Sequence, residues 1–267
     1  MRRGTRLVPP NDLNMNKQEQ NLSAAFARSL RLVFCSVVIM GLTACATGPK
    51  ADPRDPLEPF NRRMFTFNDK VDRVVLKPVA TAYKNTLPYL VRKGVSNFFD
   101  NLQDAWSIVN NTLQLKGEAA GDSFFRFGVN TFMGLGGVLD VASEMGIERH
   151  TEDFGQTLGY WGVAPGPYIV LPLLGPSTLR DTLASPVDAH GNLIPAIQDT
   201  ATRDAVAALK LIDLRARLLS ATNMLDQIAL DPYSFGRDVY LQHRRSAVYD
   251  GNPPDEFLAT PPLAPAK

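Results

Sequence analysis

Three histidines and one pair of adjacent carboxylates are the side chains of this sequence that could serve acid–base catalysis or bind a metal ion. His150, His190 and His243 are far apart, and none has the H-E-x-x-H spacing that brings two ligands to one helix face. Glu152 and Asp153 are neighbours, and adjacent residues do not share a helix face. A capping or solvated role is therefore favoured for this carboxylate pair, and no metal centre is predicted.

The serine and glycine motifs that act on acyl or phosphate groups are incomplete. The string GPSTL at 175–179 lacks the second glycine of the G-x-S-x-G turn that holds an esterase serine. The string GLGG at 134–137 resembles a dinucleotide-binding loop, but its third glycine would fall at Leu139. No G-x-x-x-x-G-K-[ST] string occurs, so no ATP-driven step is expected. The sequence predicts neither enzyme activity nor a cofactor.

Cys45 is the side chain for which the sequence predicts a definite covalent fate. Residues 32–42, LVFCSVVIMGL, form an apolar run that follows Arg28 and Arg31. The run is too short to cross a bilayer, which takes about 20 residues, and it is typical of a secretory signal. The string LTAC that ends at Cys45 resembles the bacterial lipobox, in which the cysteine is lipidated. Ala46, rather than aspartate, follows the cysteine and favours the outer membrane by the same resemblance.

Changes in composition along the sequence, such as the apolar run and the proline-rich end, divide the chain into four segments. Residues 1–44 are predicted to be a signal peptide, of which 1–14 precede the true start. Residues 45–54 are a lipidated tether, 55–250 a single helical domain, and 251–267, with five prolines, a disordered tail. The chain has 267 residues, 45% of them hydrophobic, and a net charge of +1. This composition suits a folded domain and argues against a nucleic-acid binder, which usually carries a strong basic excess.

Helical periodicity dominates the predicted domain. Apolar residues recur at steps of four and three on the first predicted helix, at Phe60, Met64, Phe67, Val71 and Val74. Asp55 is predicted to cap this helix, although Pro59 interrupts its first turn.

Four more helices are predicted at about 96–115, 118–133, 201–230 and 233–249, with Ser96 as a cap. The best strand candidate is Tyr168–Leu171. The apolar stretch 124–142 contains Arg126, Asn130 and Asp140, so we expect an interfacial or packed helix and no membrane span.

Several strings stand out without being catalytic motifs. They are DPLEPFNR at 55–62, FN at 67–68, GLGGVLDVA at 134–142, the glycine- and proline-rich stretch 152–181, and DPY at 231–233. Together with the lipobox they closely resemble the MlaA (VacJ) family of outer-membrane lipoproteins, in the family's order over about 55–250. One departure is Pro59, where the family commonly has glycine.

The resemblance implies a fold and a function. The expected fold is all-α, a single domain in which amphipathic helices form a ring in the membrane interface around a central amphipathic channel. The expected function is removal of mislocalised phospholipids from the outer leaflet, which maintains lipid asymmetry. The implied partners are phospholipid, the outer membrane, a trimeric porin of the OmpC/OmpF kind and the soluble periplasmic carrier MlaC. An inner-membrane ABC-type complex would complete the route.

The stretch from 155 to 175 is our hypothesis for a loop that lines or gates the channel. Its glycines Gly159, Gly162 and Gly166 would give it turns. The family resemblance implies that Phe67 and Asn68 influence channel closure, whereas helical periodicity alone favours a core position for Phe67. Side chains expected to contact acyl chains are Tyr160, Trp161, Val163, Tyr168, Ile169 and Leu171. A core-packing loop is an equal alternative for this stretch. For the whole chain, a porin-associated adaptor is the alternative function, and a lipid hydrolase is a less favoured one.

Overall fold

The structure is a computed structural model that describes residues 52–255. The signal peptide, Cys45, most of the 45–54 tether and the tail beyond residue 255 lie outside the described residues, so the interpretations of those segments stay predictions. Helices account for most of the described chain, and two short strands form a small antiparallel sheet. The all-α class expected from the sequence is confirmed.

The elements follow one another with short connections. The helices are α1 (Glu58–Val71), α2 (Lys77–Thr86), α3 (Tyr89–Leu113), α4 (Gly117–Phe132), α5 (Val141–Glu144), α6 (Phe154–Tyr160), α7 (Leu179–Gly191), α8 (Thr200–Ile228) and α9 (Pro232–Val248). A π-helical segment, Asp72–Leu76, joins α1 to α2, and a short 3₁₀ segment, Ile194–Ala196, precedes α8. The strands are β1 (Tyr168–Leu171) and β2 (Gly175–Thr178), with Tyr168 opposite Thr178.

Most predicted bounds agree with the observed ones, but two predicted helix caps are wrong. Helix α3 begins at Tyr89, directly after Pro88, and Ser96 lies two turns inside it. The Ser96 hydroxyl instead donates to the Asp213 carboxylate of α8, at 2.9 and 3.0 Å. Asp55 does not cap α1 either, because its carboxylate is turned inward and completely buried. In both cases a tertiary partner competes successfully with the local backbone for the polar side chain.

The contacts between elements form a closed circuit that begins and ends at α1. Helix α1 contacts β1, β2 contacts α9, α9 contacts α6, and α6 contacts α3. Helix α3 then contacts α8, α8 packs along α2, and α2 leads back to α1 through the π-helical segment. Helix α4 packs against α3, and α7 packs against α6. This closed circuit agrees with the ring expected from the sequence.

Among the described residues, polar side chains are buried and large apolar side chains are exposed, which inverts the polarity usual in a water-soluble protein. Buried polar and charged side chains outnumber buried apolar ones, and the largest completely buried side chain is Arg126. Large apolar side chains are exposed on nearly every helix; Phe132 is 88% exposed, and Phe124 and Phe125 are each more than half exposed. No helix within residues 52–255 is long and apolar enough to cross a bilayer. Apolar exposure on this scale marks an interaction surface and not an aqueous one.

Buried apolar side chains form two small clusters in the described chain, and a few others, such as Phe99 and Val248, are buried outside them. One contains Ala80, Ala216 and Leu219 between α2 and α8. The other is built on Tyr168, Val170 and Tyr233. Because neither cluster joins all the elements, polar contacts must bind much of the circuit together.

Arg244 makes the most extensive of these polar contacts. Its guanidinium bridges Asp153, at the start of α6, and Asp181, in the first turn of α7. The N–O distances are 2.5 Å to Asp153 and 2.9 Å to Asp181. Tyr240 also donates to Asp181. Burial alone would raise the pKa of both carboxyls, but the hydrogen bonds from Arg244 outweigh it and hold each pKa below its ordinary value.

We predict that Arg244→Met lowers the free energy of unfolding by about 3 kcal/mol, because two partly buried carboxylates lose their shared cation. Chemical unfolding in detergent micelles at neutral pH measures the loss. Arg73→Met is the matched control, since Arg73 pairs with Asp69 on an exposed surface; its midpoint should not change. Equal midpoints for the two variants would contradict the assigned role of Arg244.

The difference between wild type and Arg244→Met should depend on pH. The lowered pKa of Asp153 and Asp181 in the folded state means that their stabilising contribution is fully present above the unfolded carboxyl pKa. That contribution is lost as the pH falls below about 4, where the unfolded carboxyls take up protons. The unfolding curves of the two proteins should therefore be separated at neutral pH and should converge only in acid, as the pH falls through the lowered folded-state pKa of Asp153 and Asp181. A difference that persists in acid would contradict the ionic origin of the effect.

Candidate functional site

The two faces of the β-hairpin differ in their burial. Tyr168 and Val170 point into the core cluster against Tyr233, whereas Ile169 and Leu171 lie on the opposite face and are half-buried. The turn exposes Leu174, at 77%. Alternation along the strand therefore separates the predicted contact residues: Ile169 and Leu171 are available to a ligand, and Tyr168 is part of the core.

Two asparagines of α1 hold the free edge of β1. The Asn61 amide donates to the Tyr168 carbonyl at 3.0 Å, and its oxygen accepts from the Val170 N–H at 2.8 Å. Asn68 donates to the Leu171 carbonyl at 2.8 Å and accepts from the Leu173 N–H at 2.7 Å.

The spacing of these asparagines suits the strand. Seven residues of helix rise about 10.5 Å, and the three residues from Tyr168 to Leu171 rise about 10 Å. The two amides thus satisfy backbone groups at the strand edge in the way that another strand would.

Asp55 joins this clamp to the C-terminal helix. Its carboxylate accepts from the Asn61 amide at 2.8 Å, from the Tyr233 hydroxyl and from the Arg237 guanidinium at 3.3 Å. Burial raises the pKa of Tyr233, and its hydrogen bond to Asp55 raises it further, so the phenol remains a donor. Arg237 also pairs with Asp52 at 3.1 Å.

The loop that follows α6 exposes aromatic and apolar side chains. Tyr160, Trp161 and Val163 are each about half exposed. The Trp161 indole N–H donates to the Leu113 carbonyl at 3.2 Å, which orients the ring at the end of α3. The Lys116 ammonium lies 5.4 Å from the centre of the Tyr160 ring. These three predicted contact residues therefore share an open surface beside a cation.

The three predicted loop glycines serve two purposes. Gly162 and Gly166 have positive φ, +89° and +68°, where other residues are strained. Gly159 has an ordinary conformation, but a Cβ there would lie 2.5 Å from the Arg180 guanidinium and 2.8 Å from the Val248 side chain. Gly159 therefore permits close packing, and the other two permit turns.

The remaining predicted residue, Phe67, is 45% exposed on α1 beside Asn68. The structure thus brings Asn68, Ile169 and Leu171 together at the hairpin. Tyr160, Trp161 and Val163 form a second group after α6.

Sequence reasoning missed the polar interior wall. On α3 the polar side chains Asn101, Asp104, Ser107, Asn110 and Asn111 are buried together with Phe99, while the apolar Val109 and Leu113 are exposed. The signal was present as a polar stripe with helical spacing, which the usual rule assigns to solvent.

The wall continues from α3 to α6 as a chain of hydrogen bonds. The Thr157 hydroxyl donates to the Asn110 amide oxygen at 2.9 Å and accepts from the Gln114 amide at 3.0 Å. Gln114 also donates to Glu152 at 2.9 Å, and Lys116 pairs with the same carboxylate at 3.1 Å. Burial raises the pKa of Glu152. The carboxylate is therefore buried and paired, and not solvated; its neighbour Asp153 caps α6 as expected.

Within residues 52–255 no cluster of three His, Cys, Asp or Glu side chains could hold a metal ion. The described site offers hydrogen-bond donors and acceptors on its polar wall and apolar contact surface on the hairpin and loop. Such an arrangement is chemically suited to amphipathic molecules. The fold and site together define a helical protein whose polar groups are enclosed and whose apolar surface faces outward, the arrangement suited to a membrane interface.

Comparisons with known proteins give the family. The family model for the MlaA lipoprotein matches residues 53–247, and the chain belongs to this family. The Escherichia coli K12 and Shigella flexneri proteins named "Intermembrane phospholipid transport system lipoprotein MlaA" are each 38% identical over 221 residues, covering 80% of this chain and 86% of each relative. An uncharacterized protein of Rickettsia bellii is 36% identical over 197 residues, 73% of this chain and 76% of its own length.

A solved structure is similar as well. It was described under "Structural basis for maintenance of bacterial outer membrane lipid asymmetry" and is 35% identical, with a TM-score of 0.60. The match covers 74% of this chain and 99% of the other.

We predict that Asn61→Ala and Asn68→Ala release the hairpin from α1. Asn61→Ala leaves the buried Tyr168 carbonyl and Val170 N–H unpaired and should cost about 2–4 kcal/mol. Asn68→Ala should chiefly speed amide hydrogen exchange at Leu173.

Hydrogen exchange at the hairpin amides measures both effects. Asn97→Ala is the control, because Asn97 donates to the Val138 carbonyl at an exposed position away from the hairpin. Hairpin protection that is unchanged in Asn61→Ala and Asn68→Ala would refute the clamp.

Proposed function

We propose that this chain is an outer-membrane lipoprotein that removes mislocalised phospholipids from the outer leaflet and passes them to a soluble periplasmic carrier. The observation that carries the proposal is the inverted polarity of a closed circuit of helices. Exposed apolar side chains suit the acyl layer, and enclosed polar side chains suit a headgroup. The names of the Escherichia coli and Shigella flexneri relatives support the same activity.

The energetics of lipid transfer explain why both surfaces are needed. A phospholipid has roughly 30 acyl CH₂ groups, and exposing them to water costs on the order of 20 kcal/mol. A headgroup drawn into hydrocarbon without hydrogen bonds also costs several kcal/mol. A path with a polar wall for the headgroup and an apolar side for the chains lowers both costs. Transfer can then be passive, and we propose no covalent step.

The proposed anchor is consistent with this placement. Asp52, the first described residue, follows Cys45 by seven residues, which span at most about 25 Å when extended. Acyl chains on Cys45 would therefore hold the domain against the leaflet in which the anchor lies, with the domain on the periplasmic side. A trimeric porin and a carrier of the MlaC type are the proposed protein partners.

We place the acyl contacts on the hairpin and the loop after α6. Ile169 and Leu171 occupy the free face of β1, and Tyr160, Trp161 and Val163 are exposed beside it in sequence. Tyr168 is omitted because its side chain is 2% exposed and packed against other tyrosines. Phe67 and Asn68 act on the hairpin from α1, Asn68 through its hydrogen bonds.

We predict that Ile169→Arg abolishes transport without unfolding the protein, because it places a charge on the half-buried free face of β1. Outer-leaflet phospholipid exposure in intact cells of a deletion strain, complemented by each variant at equal abundance, measures the effect. Deletion should raise exposure, wild type should restore it, and Ile169→Arg should fail. Cys45→Ser should fail as well, through loss of the anchor.

Gln242→Arg is the matched control, since it adds the same charge to an exposed position of α9. If Ile169→Arg restores asymmetry as well as Gln242→Arg does, the hairpin does not line the lipid path. If asymmetry instead requires only porin contact, the adaptor function replaces transport. Phospholipid breakdown by the purified protein would point to a hydrolase.

A further inference from the structure

A cavity of about 640 Å³ lies outside the residues assigned so far to acyl contact. It is formed where the end of α3, the first turn of α4, residues 148–152 and the end of α9 meet. Its volume is within the range of small-molecule sites. Most of the residues that line it are polar or charged, so its occupant must satisfy hydrogen bonds and charges.

The cations of this cavity are already compensated. Lys116 is held by Glu152 and Asp250, and Arg149 by Asp100 and Asp104, while the His150 ring also contacts a carboxylate, that of Asp122. The distances lie between 2.6 and 3.1 Å. No positive charge in the lining is therefore left over for a second anionic partner.

Several acceptors of the lining have no donor in the described chain. Glu118 and Glu148 are exposed carboxylates without an ion pair or side-chain hydrogen bond among residues 52–255. Asn111 is completely buried, lines the cavity, and its amide oxygen accepts no hydrogen bond. A buried amide oxygen without a partner is costly, and a group with several N–H donors would relieve that cost.

The same cavity also contains donors without acceptors. Helix α4 is 16 residues long, and its first turn has no side-chain cap. The N–H groups of Gly117, Glu118 and Ala119 have no acceptor within the described residues, whereas the Ala120 N–H bonds to the Lys116 carbonyl. Free N–H groups at a helix N-terminus are favourable partners for phosphate oxygens.

We propose that this cavity binds the zwitterionic phosphoethanolamine headgroup of a phospholipid. The ammonium group pairs with Glu118 and Glu148 and donates to the Asn111 amide oxygen. The phosphate oxygens accept from the first-turn N–H groups of α4. A glycerol headgroup has no ammonium and leaves the carboxylates unpaired, so the site discriminates between the two headgroups. This inference rests on the proposed transport function and adds a headgroup preference to it.

Competitive transfer measures the preference. The full lipidated chain in detergent micelles is mixed with vesicles that contain equal amounts of phosphatidylethanolamine and phosphatidylglycerol, and protein-bound lipids are counted by mass spectrometry. Wild type should take phosphatidylethanolamine in about fivefold excess, as expected from two partly exposed ion pairs. The double variant Glu118→Gln/Glu148→Gln should take the two lipids equally.

The control variant removes the same charge elsewhere. Glu144→Gln/Asp255→Asn changes two exposed acids that do not line the cavity, and it should keep the wild-type preference. All four substituted carboxylates lack salt bridges in the described chain, so thermal unfolding should not change. Soluble glycerophosphoethanolamine, added as a competitor, separates the two sources of the headgroup. Loss of bound phosphatidylethanolamine means that the cavity also takes the free headgroup, and no loss means that it takes only the lipid.

The possible outcomes test the headgroup site separately from the proposed phospholipid transport. Equal uptake of both lipids by wild type, or an unchanged preference in Glu118→Gln/Glu148→Gln, overturns the headgroup site alone. Absence of bound lipid from vesicles of any composition overturns the transport function as well. A preference lost in the cavity variant and kept in Glu144→Gln/Asp255→Asn supports the site.

Discussion

Hydrogen bonding of the enclosed polar side chains is the constraint on which this structure depends. A helical circuit with only two small apolar clusters cannot rely on one hydrophobic core, so charged and amide groups hold its elements together. Arg244 joins α6, α7 and α9 through two aspartates, and Asp55 joins α9 to Asn61 of α1, which in turn holds the hairpin. Each enclosed charge is costly alone and tolerable when paired, so the interior is built from connected networks.

This arrangement leaves the apolar side chains for the outside. Most of the described helices have exposed large hydrophobic residues, and none is long and apolar enough to span a bilayer. In the proposed membrane placement, such a protein gains its apolar burial from surrounding lipid and its internal order from polar contacts. The same polar wall that orders the fold can solvate a headgroup. In the proposed transport, stability and function therefore use the same groups.

The hairpin has one feature that the local sequence predicts, its strand, and one that depends on tertiary contacts, its free face. Tyr168–Leu171 was the best strand candidate in the sequence, and the strand is observed with those bounds. Which face is free was not predictable, because it depends on Tyr233 of α9 packing against Tyr168 and Val170. Asn61 was overlooked, and Asn68 was chosen through the family resemblance and not through its contacts. Their role as a clamp is visible only in the structure, where the rise of seven residues of α1 matches the length of three residues of β1.

The sequence by itself determined the helical class, the bounds of α4, α8 and α9 to within two residues, the short strand and, through its motifs, the family. These features depend on the spacing and composition of residues within short segments, so they can be predicted without knowing the tertiary contacts. The tertiary structure alone decided which side of each helix is inside. On α3 the polar residues Asn101, Ser107 and Asn111 are buried, whereas the apolar residues Val109 and Leu113 are exposed. Periodicity separates two faces but does not say which meets lipid, because that choice depends on partners distant in the chain.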